Sequence, residues 1–302
     1  MSSWLETRNT LHLWTQVVGK MRLKFTPWLN HGWHVPLYVT ARGLTTSPIP
    51  CGARSLEIEF DFLEHVLRLS SSDGSSRRLA LAPQSVAAFY AAVLAALAEL
   101  GVQADISDKP CEIPGAIPFS QDLAHAAYDP LYAQRFWRAL VQVDRVFKTF
   151  RTAFLGKSSP VHFFWGSFDL AVTRFSGRRA PPFSAKMPGL SLAVMQEAYS
   201  HEVSSAGFWP GGNGIDYPAF YSYAYPADPK YRGSPVRPAK AFFSETLGEF
   251  LLPYDAVRTA SDPDAQLLAF LQSTYEAAAN CGGWDRASLE CSFGRPGVPR
   301  GL

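Results

Sequence analysis

The stretch His162-Phe-Phe-Trp-Gly-Ser-Phe-Asp-Leu-Ala-Val-Thr-Arg-Phe-Ser-Gly177 reads as a buried strand, yet it carries a histidine, a tryptophan, an aspartate and an arginine. Charged groups are costly to bury unless they are paired or used, so this strand marks a candidate site. It also decides the fold class, because strands of branched and aromatic residues recur on both sides of it, interleaved with helices. Upstream, Leu11, Trp14, Val17, Val18 and Met21 stand at helical spacing in Thr10–Phe25, a helix that Pro27 stops. Strands follow at His34–Arg42, Ser55–Phe62, Val66–Leu69 and Arg78–Leu81, the last two flanking an Asp73-Gly74 hairpin signal. An alanine-rich helix at Ser85–Leu100, closed by Gly101, precedes a further expected strand at Val102–Ile106.

The run from Lys109 to Pro130 is punctuated by prolines and reads as a connection. Downstream come a helix at Leu131–Phe154, the organising strand to Phe175, and a basic, proline-rich loop at Arg178–Pro188. A helix at Leu192–Ser205, a glycine-rich turn at Gly207–Gly214, strands at Pro218–Tyr225 and Glu249–Leu252 and a helix at Gln266–Asn280 complete the reading. The expected fold is α+β: antiparallel sheet or sheets flanked by helices. The order helix, strand, strand, short strand, proline, helix occurs twice, which predicts two duplicated halves about a pseudo-two-fold axis. Those halves are 1–108 and 131–290, joined by 109–130, with an insertion at 178–217 and a disordered tail at 291–302.

The 302 residues are 47% apolar, 14% aromatic and 18% charged, a globular balance, and the net charge of +2 argues against a dedicated nucleic-acid binder. Four scattered cysteines form no C-x-x-C pair, so neither a thiolate metal site nor a disulfide framework is expected. No leader and no run approaching about eighteen apolar residues is visible, which predicts a cytoplasmic protein without a membrane partner. A small-molecule ligand is expected. The sequence specifies no cofactor, no metal and no oligomeric state.

Within the organising strand, alternation sets Trp165, Ser167 and Asp169 on one face, and His162 joins them only if a bulge at Gly166 shifts the register. A polar strip with an aromatic wall is one reading; a structural network between Asp169 and Arg174 is the other. Ser200-His201-Glu202 reads as a helix end, where His201 either meets Ser167 or Asp169 as an acid–base pair or caps the helix. His31 and His34, at i and i+3, either contribute to a metal site or hydrogen-bond within a loop. Trp209 in the glycine-rich turn suggests a lid. Tyr221, Tyr223 and Tyr225 share a strand face, and Glu245 and Glu249 stand at i, i+4, where a solvated face competes with a metal or acid–base role.

The motifs His162 to Gly177, Ser200-His-Glu-Val-Ser-Ser, Gly207-Phe-Trp-Pro-Gly-Gly and Trp33-His-Val-Pro-Leu-Tyr-Val-Thr-Ala-Arg-Gly resemble a bacterial family classified only as a domain of unknown function. The resemblance spans about Thr10 to Trp284 and implies a full-length family with no reaction to carry over. The residues themselves support two functional readings. In the first, an enzyme acts on a small polar or aromatic molecule in a cleft between the halves. His162, Asp169, His201 and Glu202 transfer protons, Arg42 and Arg174 bind an anion, and His34, Trp165, Ser167, Trp209, Tyr221 and Tyr223 line the ligand. In the second, a non-catalytic binding or scaffold protein uses the same residues as a buried network.

Overall fold

The computed structural model describes residues 2–185, 189–212 and 214–300, with the side chains of Ser2 and Ser3 excepted. Of the expected insertion and tail, Lys186–Pro188, Asn213, Gly301 and Leu302 lie outside the described residues. The fold is α+β, with two antiparallel sheets of six strands. Compactness divides the chain into one unit of Met1–Val141, Phe163–Phe168 and Ala185–Met195, and a second of Gln142–His162, Asp169–Ser184 and Gln196–Leu302.

In the first unit, helix α1 (Ser2–Phe25) is longer than its apolar periodicity predicts and ends where Pro27 requires. The sheet comprises β1 (Tyr38–Val39), β2 (Gly43–Thr45), β3 (Ile49–Cys51), β4 (Arg54–Asp61), β5 (Val66–Ser71) and β6 (Ser76–Ala80). Its order is β1-β2-β4-β5-β6, with β3 also paired to β4. The expected strand His34–Arg42 shrinks to β1, because a turn at Asn30–Gly32 leads into Pro36, which has no N–H to donate. The expected strand Val102–Ile106 has no ladder: Val102 and Ile106 are buried, but the backbone between them is irregular. Helix α2 (Val86–Glu99), capped by the Ser85 hydroxyl, lays Phe89 against Trp14 of α1 at 4.6 Å. The first part of α3 (Pro130–Thr152) adds Trp137, whose indole N–H donates to the Thr40 carbonyl at 3.0 Å.

The organising stretch is a hairpin, not one strand: β7 (His162–Phe164) and β8 (Asp169–Arg179) are joined by a turn at 165–168, where Phe168 adopts φ 60°. The second sheet runs β11 (Phe242–Ser244), β12 (Glu249–Pro253), β10 (Ala219–Tyr225), β9 (His201–Trp209), β8, β7. The expected helix Leu192–Ser205 is split. Helix α4 covers only Leu192–Ala198, and β9 begins at His201, because Val203–Trp209 is apolar enough to lie as a central strand between β8 and β10. One face of this sheet packs Leu170, Val172, Phe208, Phe220 and Leu252 beneath α6 (Pro263–Cys281), with α5 (Tyr254–Arg258) and α7 (Arg286–Leu289) completing the unit. The tail beyond Cys291 is held rather than loose, since the Gly294 N–H donates to the Thr152 hydroxyl at 3.0 Å. β12 rather than β11 sits beside β10, and a duplicated unit is not established.

Asp61, fully buried at the end of β4, organises the exit from that strand. Arg42 donates to it at 2.6 Å, Arg68 at 3.1 Å, and the N–H groups of Leu63 and Glu64 at 3.0 and 2.9 Å. Burial alone would raise its carboxyl; these donors outweigh burial and bring it down to about 2. A depressed carboxyl contributes stability that is present above its unfolded value and lost as the pH falls through the folded one. Asp61→Asn is therefore expected to cost about 1–2 kcal/mol at pH 7, discounted for the exposure of Arg42. It is also expected to flatten the loss of stability between pH 4 and 2, as read by urea unfolding across that range.

Candidate functional site

Registers fix which side chains share a face of the second sheet. Tyr221 stands opposite Gly207 and Leu251, Tyr223 opposite Ser205, Gly207 opposite Ala171 and Ser205 opposite Thr173. Alternation adds Asp169 and Trp209 at one end and Glu249 beside Leu251. Asp169, Tyr221 and Glu249 are 3%, 5% and 6% exposed, so this face sequesters two carboxyls and a phenol from water.

Tyr221 reaches Asp169 across an intervening strand. Its ring lies directly over Gly207, where an added Cβ would come within 2.3 Å of Cζ and Oη, and its hydroxyl donates to the Asp169 carboxylate. Ile215, Ala219 and Leu251 pack around the ring, and Trp209 sits 4.5 Å away. Burial, then the adjacent Asp169, pushes the Tyr221 phenol well above its usual range, so it serves as a fixed donor. Tyr223 exchanges a hydrogen bond with the Tyr199 hydroxyl at 2.9 Å and bonds Ser205, whose hydroxyl meets Thr173 at 2.9 Å.

Glu249 differs in kind. Among the described residues no hydrogen bond or ion pair reaches its carboxyl, and burial, then the charge of Asp169, raises it to about 8. The helical i, i+4 reading that paired it with Glu245 fails because a turn separates them: Glu245 is exposed and faces Arg232 at 3.4 Å, while Glu249 opens β12. The signal was available in the alternation of Glu249-Phe-Leu-Leu252, which sets Glu249 and Leu251 on the side opposite Phe250.

The other sequence candidates go elsewhere. Arg174 points to the opposite, helix-facing side, fully buried, with its guanidinium 3.5, 4.4 and 4.9 Å from the rings of Phe150, Tyr275 and Phe154. It donates to the Phe150 carbonyl at 2.5 Å in the last turn of α3, where a cation suits the helix dipole. Burial lowers it to about 10, against the pull of Tyr275, Glu290 and Cys291. Enclosed by rings, it is a structural cation and not an anion-binding residue. Arg42 is likewise committed, to Asp61 and to Glu64 at 2.8 Å.

His201 and Glu202 are strand neighbours, not a helix end, and so face opposite ways. Glu202 is held by Arg178 at 2.7 Å and by the Ser176 hydroxyl at 2.7 Å. His201 bonds the Ser200 hydroxyl at 3.0 Å and pairs with Arg179. It stands eight residues from Trp209, the partner row of Asp169, a span of roughly 26 Å along a strand. Burial, then Lys157 and Arg179, lowers its basicity. An acid–base pair of His201 with Asp169 is thereby excluded.

Trp165 and Ser167 lie in the 165–168 turn rather than on a strand face with Asp169. The Trp165 indole donates to the Val35 carbonyl at 2.8 Å and covers Gly19 of α1, where a Cβ would sit 2.2 Å from it. His12, which the sequence reading passed over, locks the same turn by a 2.8 Å bond to the Gly166 carbonyl, and burial lowers it to about 4. His34 is buried in its loop, with the Leu29 N–H at 3.2 Å from Nδ1 and Trp28 at 4.5 Å. His162, 1% exposed, begins β7. Among the described residues no group of three or more His, Cys, Asp or Glu could hold a metal ion.

The crossing of β9 by Tyr221 yields a direct test. Gly207→Ala and Tyr221→Phe are each expected to destabilise by about 1–3 kcal/mol, the first by displacing the ring and the second by leaving Asp169 short of a donor. Because both changes break one contact, the double variant should fall short of additivity by about 1 kcal/mol in a thermal or urea double-mutant cycle. Strict additivity would mean that the ring does not depend on the glycine.

No curated protein and no solved structure matches the chain. The model of a family of unknown function (DUF5996) matches residues 1–291, so the chain belongs to that family.

Proposed function

We propose that the protein is an enzyme acting on a small polar or aromatic molecule by carboxyl acid–base chemistry on the Asp169–Glu249 face of the second sheet. One observation carries the reading: two buried carboxyls share a face, one receiving a phenol hydroxyl and the other raised by burial. Asp169 accepts a hydrogen bond from the Tyr221 hydroxyl. Glu249 is raised to about 8 and carries its proton at neutral pH. A raised carboxyl beside one that accepts a dedicated hydrogen bond can divide the roles of acid and base with it. Glu249 donates its proton to a bound molecule, Asp169 with Tyr221 polarises or deprotonates it, and Trp209 and Tyr223 supply the walls.

The second reading, a non-catalytic binding protein in the same family, is favoured by the Tyr223, Tyr199, Ser205 and Thr173 hydroxyls, which satisfy one another as a structural network does. In either case the cysteines Cys51, Cys111, Cys281 and Cys291 are free, which suits a reducing, cytoplasmic setting. Among the described residues no helix is long and apolar enough to cross a membrane.

The readings separate at Glu249. Carbon-13 NMR of carboxyl-labelled glutamate, with Glu249→Gln to assign the resonance, is expected to give a midpoint near pH 8; a midpoint in the ordinary carboxylate range would remove the acid from the proposed mechanism. The linkage has a definite sign. A carboxyl raised on folding contributes stability at low pH that is lost as the pH climbs from about 4.5 through 8. Glu249→Gln is therefore expected to leave stability at pH 4 nearly unchanged and to exceed the parent by up to about 5 kcal/mol at pH 9.

A further inference from the structure

The face that holds Glu249 has a chemical bias in what it leaves open. Over the paired length from Asp169 to Phe175, the sheet side chains on this side are Asp169, Ala171, Thr173 and Phe175 of β8 and Trp209, Gly207, Ser205 and Val203 of β9. Across from them stand Tyr221 and Tyr223 of β10 and Leu251 and Glu249 of β12. This part of the sheet contributes two acids and several aromatic rings and no lysine or arginine. Glu249, nine-tenths buried, is an acceptor that no described donor reaches. The Trp209 indole N–H is likewise buried without an acceptor, 4.5 Å from the Tyr221 ring on the same face.

Open valences of this kind inside a protein call for an occupant, because burying an unpartnered polar group is unfavourable. An anion is repelled by Glu249 once it ionises above about pH 8 and finds no lysine or arginine of these strands to meet it. A bare divalent ion would want more oxygen ligands than the one open carboxyl offers, since Asp169 already receives Tyr221. A small organic cation answers each feature. Its N–H groups meet Glu249, and its charge lies against the electron-rich faces of Tyr221 and Tyr223, whose rings are near parallel at 6.1 Å. A neighbouring carbonyl or hydroxyl oxygen of the ligand would satisfy Trp209.

We propose that the ligand of this face is a small organic cation, an ammonium or amidinium, held between the Glu249 carboxyl and the rings of Tyr221, Tyr223 and Trp209. The inference rests on the acid–base reading for its location and deepens it by naming the substrate class. The test uses three probes of one size and one ring: benzylammonium, benzyl alcohol and benzoate, titrated at pH 8.5 into the full chain by calorimetry and tryptophan fluorescence.

Benzylammonium is expected to bind about tenfold or more tightly than benzyl alcohol, and benzoate not at all. Glu249→Gln should lose about tenfold for benzylammonium while melting no lower than the parent. Tyr223→Phe should retain binding, because the ring remains, and Tyr223→Leu should lose it. Equal or tighter binding of benzyl alcohol or benzoate overturns the proposal. So does benzylammonium binding that Glu249→Gln leaves unchanged, or no binding of any probe. If Glu249 titrates near pH 8 and the cation still fails to bind, the ligand class alone is wrong; if Glu249 titrates as an ordinary carboxylate, the acid–base reading falls first.

Discussion

A tyrosine on β10 hydrogen-bonds an aspartate on β8, and nothing about that face of the sheet survives without the bare backbone of Gly207 between them. Neighbouring strands lie about 4.8 Å apart, so the contact spans roughly 10 Å of sheet and must pass over whatever β9 presents. Any Cβ at Gly207 would occupy the space of the phenol ring. The glycine costs the strand packing and backbone entropy, and what it permits is a buried carboxylate with a dedicated donor. Burial, with the nearby charge of Asp169 as the lesser cause, raises the Glu249 carboxyl to about 8.

The two faces of this sheet solve the burial of charge in opposite ways. On the helix-facing side, Arg174 is enclosed by three rings and one helix-terminal carbonyl, and its charge is used up in holding α3, α6 and β8 together. On the other side, Asp169 has its donor while the Trp209 indole N–H is buried without an acceptor. A purely structural network would supply one, as the Tyr223, Tyr199, Ser205 and Thr173 hydroxyls do among themselves.

The elements most legible in the sequence are those whose periodicity stands alone: α1, α3 and α6, the β4–β5–β6 meander around Asp73-Gly74, and β10 with its alternating tyrosines. Where tertiary pairing decides, local pattern misleads. Leu192 to Ser205 carries a helical beginning and a strand end, and only the ladders from β8 and β10 draw the boundary at His201. His162 to Phe175 reads as continuous because Trp165 and Phe168 are as apolar as any strand residue, although Phe168 turns the chain at positive φ. Asp169, Trp209, Tyr221 and Tyr223 were legible as site candidates because they are polar or aromatic within buried strands. Glu249 was harder to find: its importance lies in which residues it faces across β10, and a register of that kind is written in no local stretch. The histidines drew attention for their chemistry, yet His34 serves a loop and His201 stands a strand-length from Asp169.

The central claim, that Tyr221 donates to Asp169 across Gly207, is accessible to proton NMR of the Tyr221 hydroxyl. A phenol proton buried on a carboxylate is shielded from exchange and shifted downfield. The account predicts one slowly exchanging hydroxyl resonance that vanishes in Tyr221→Phe and moves into rapid exchange in Asp169→Ala. A Tyr221 hydroxyl in fast exchange in the parent protein, or one untouched by Asp169→Ala, would contradict it.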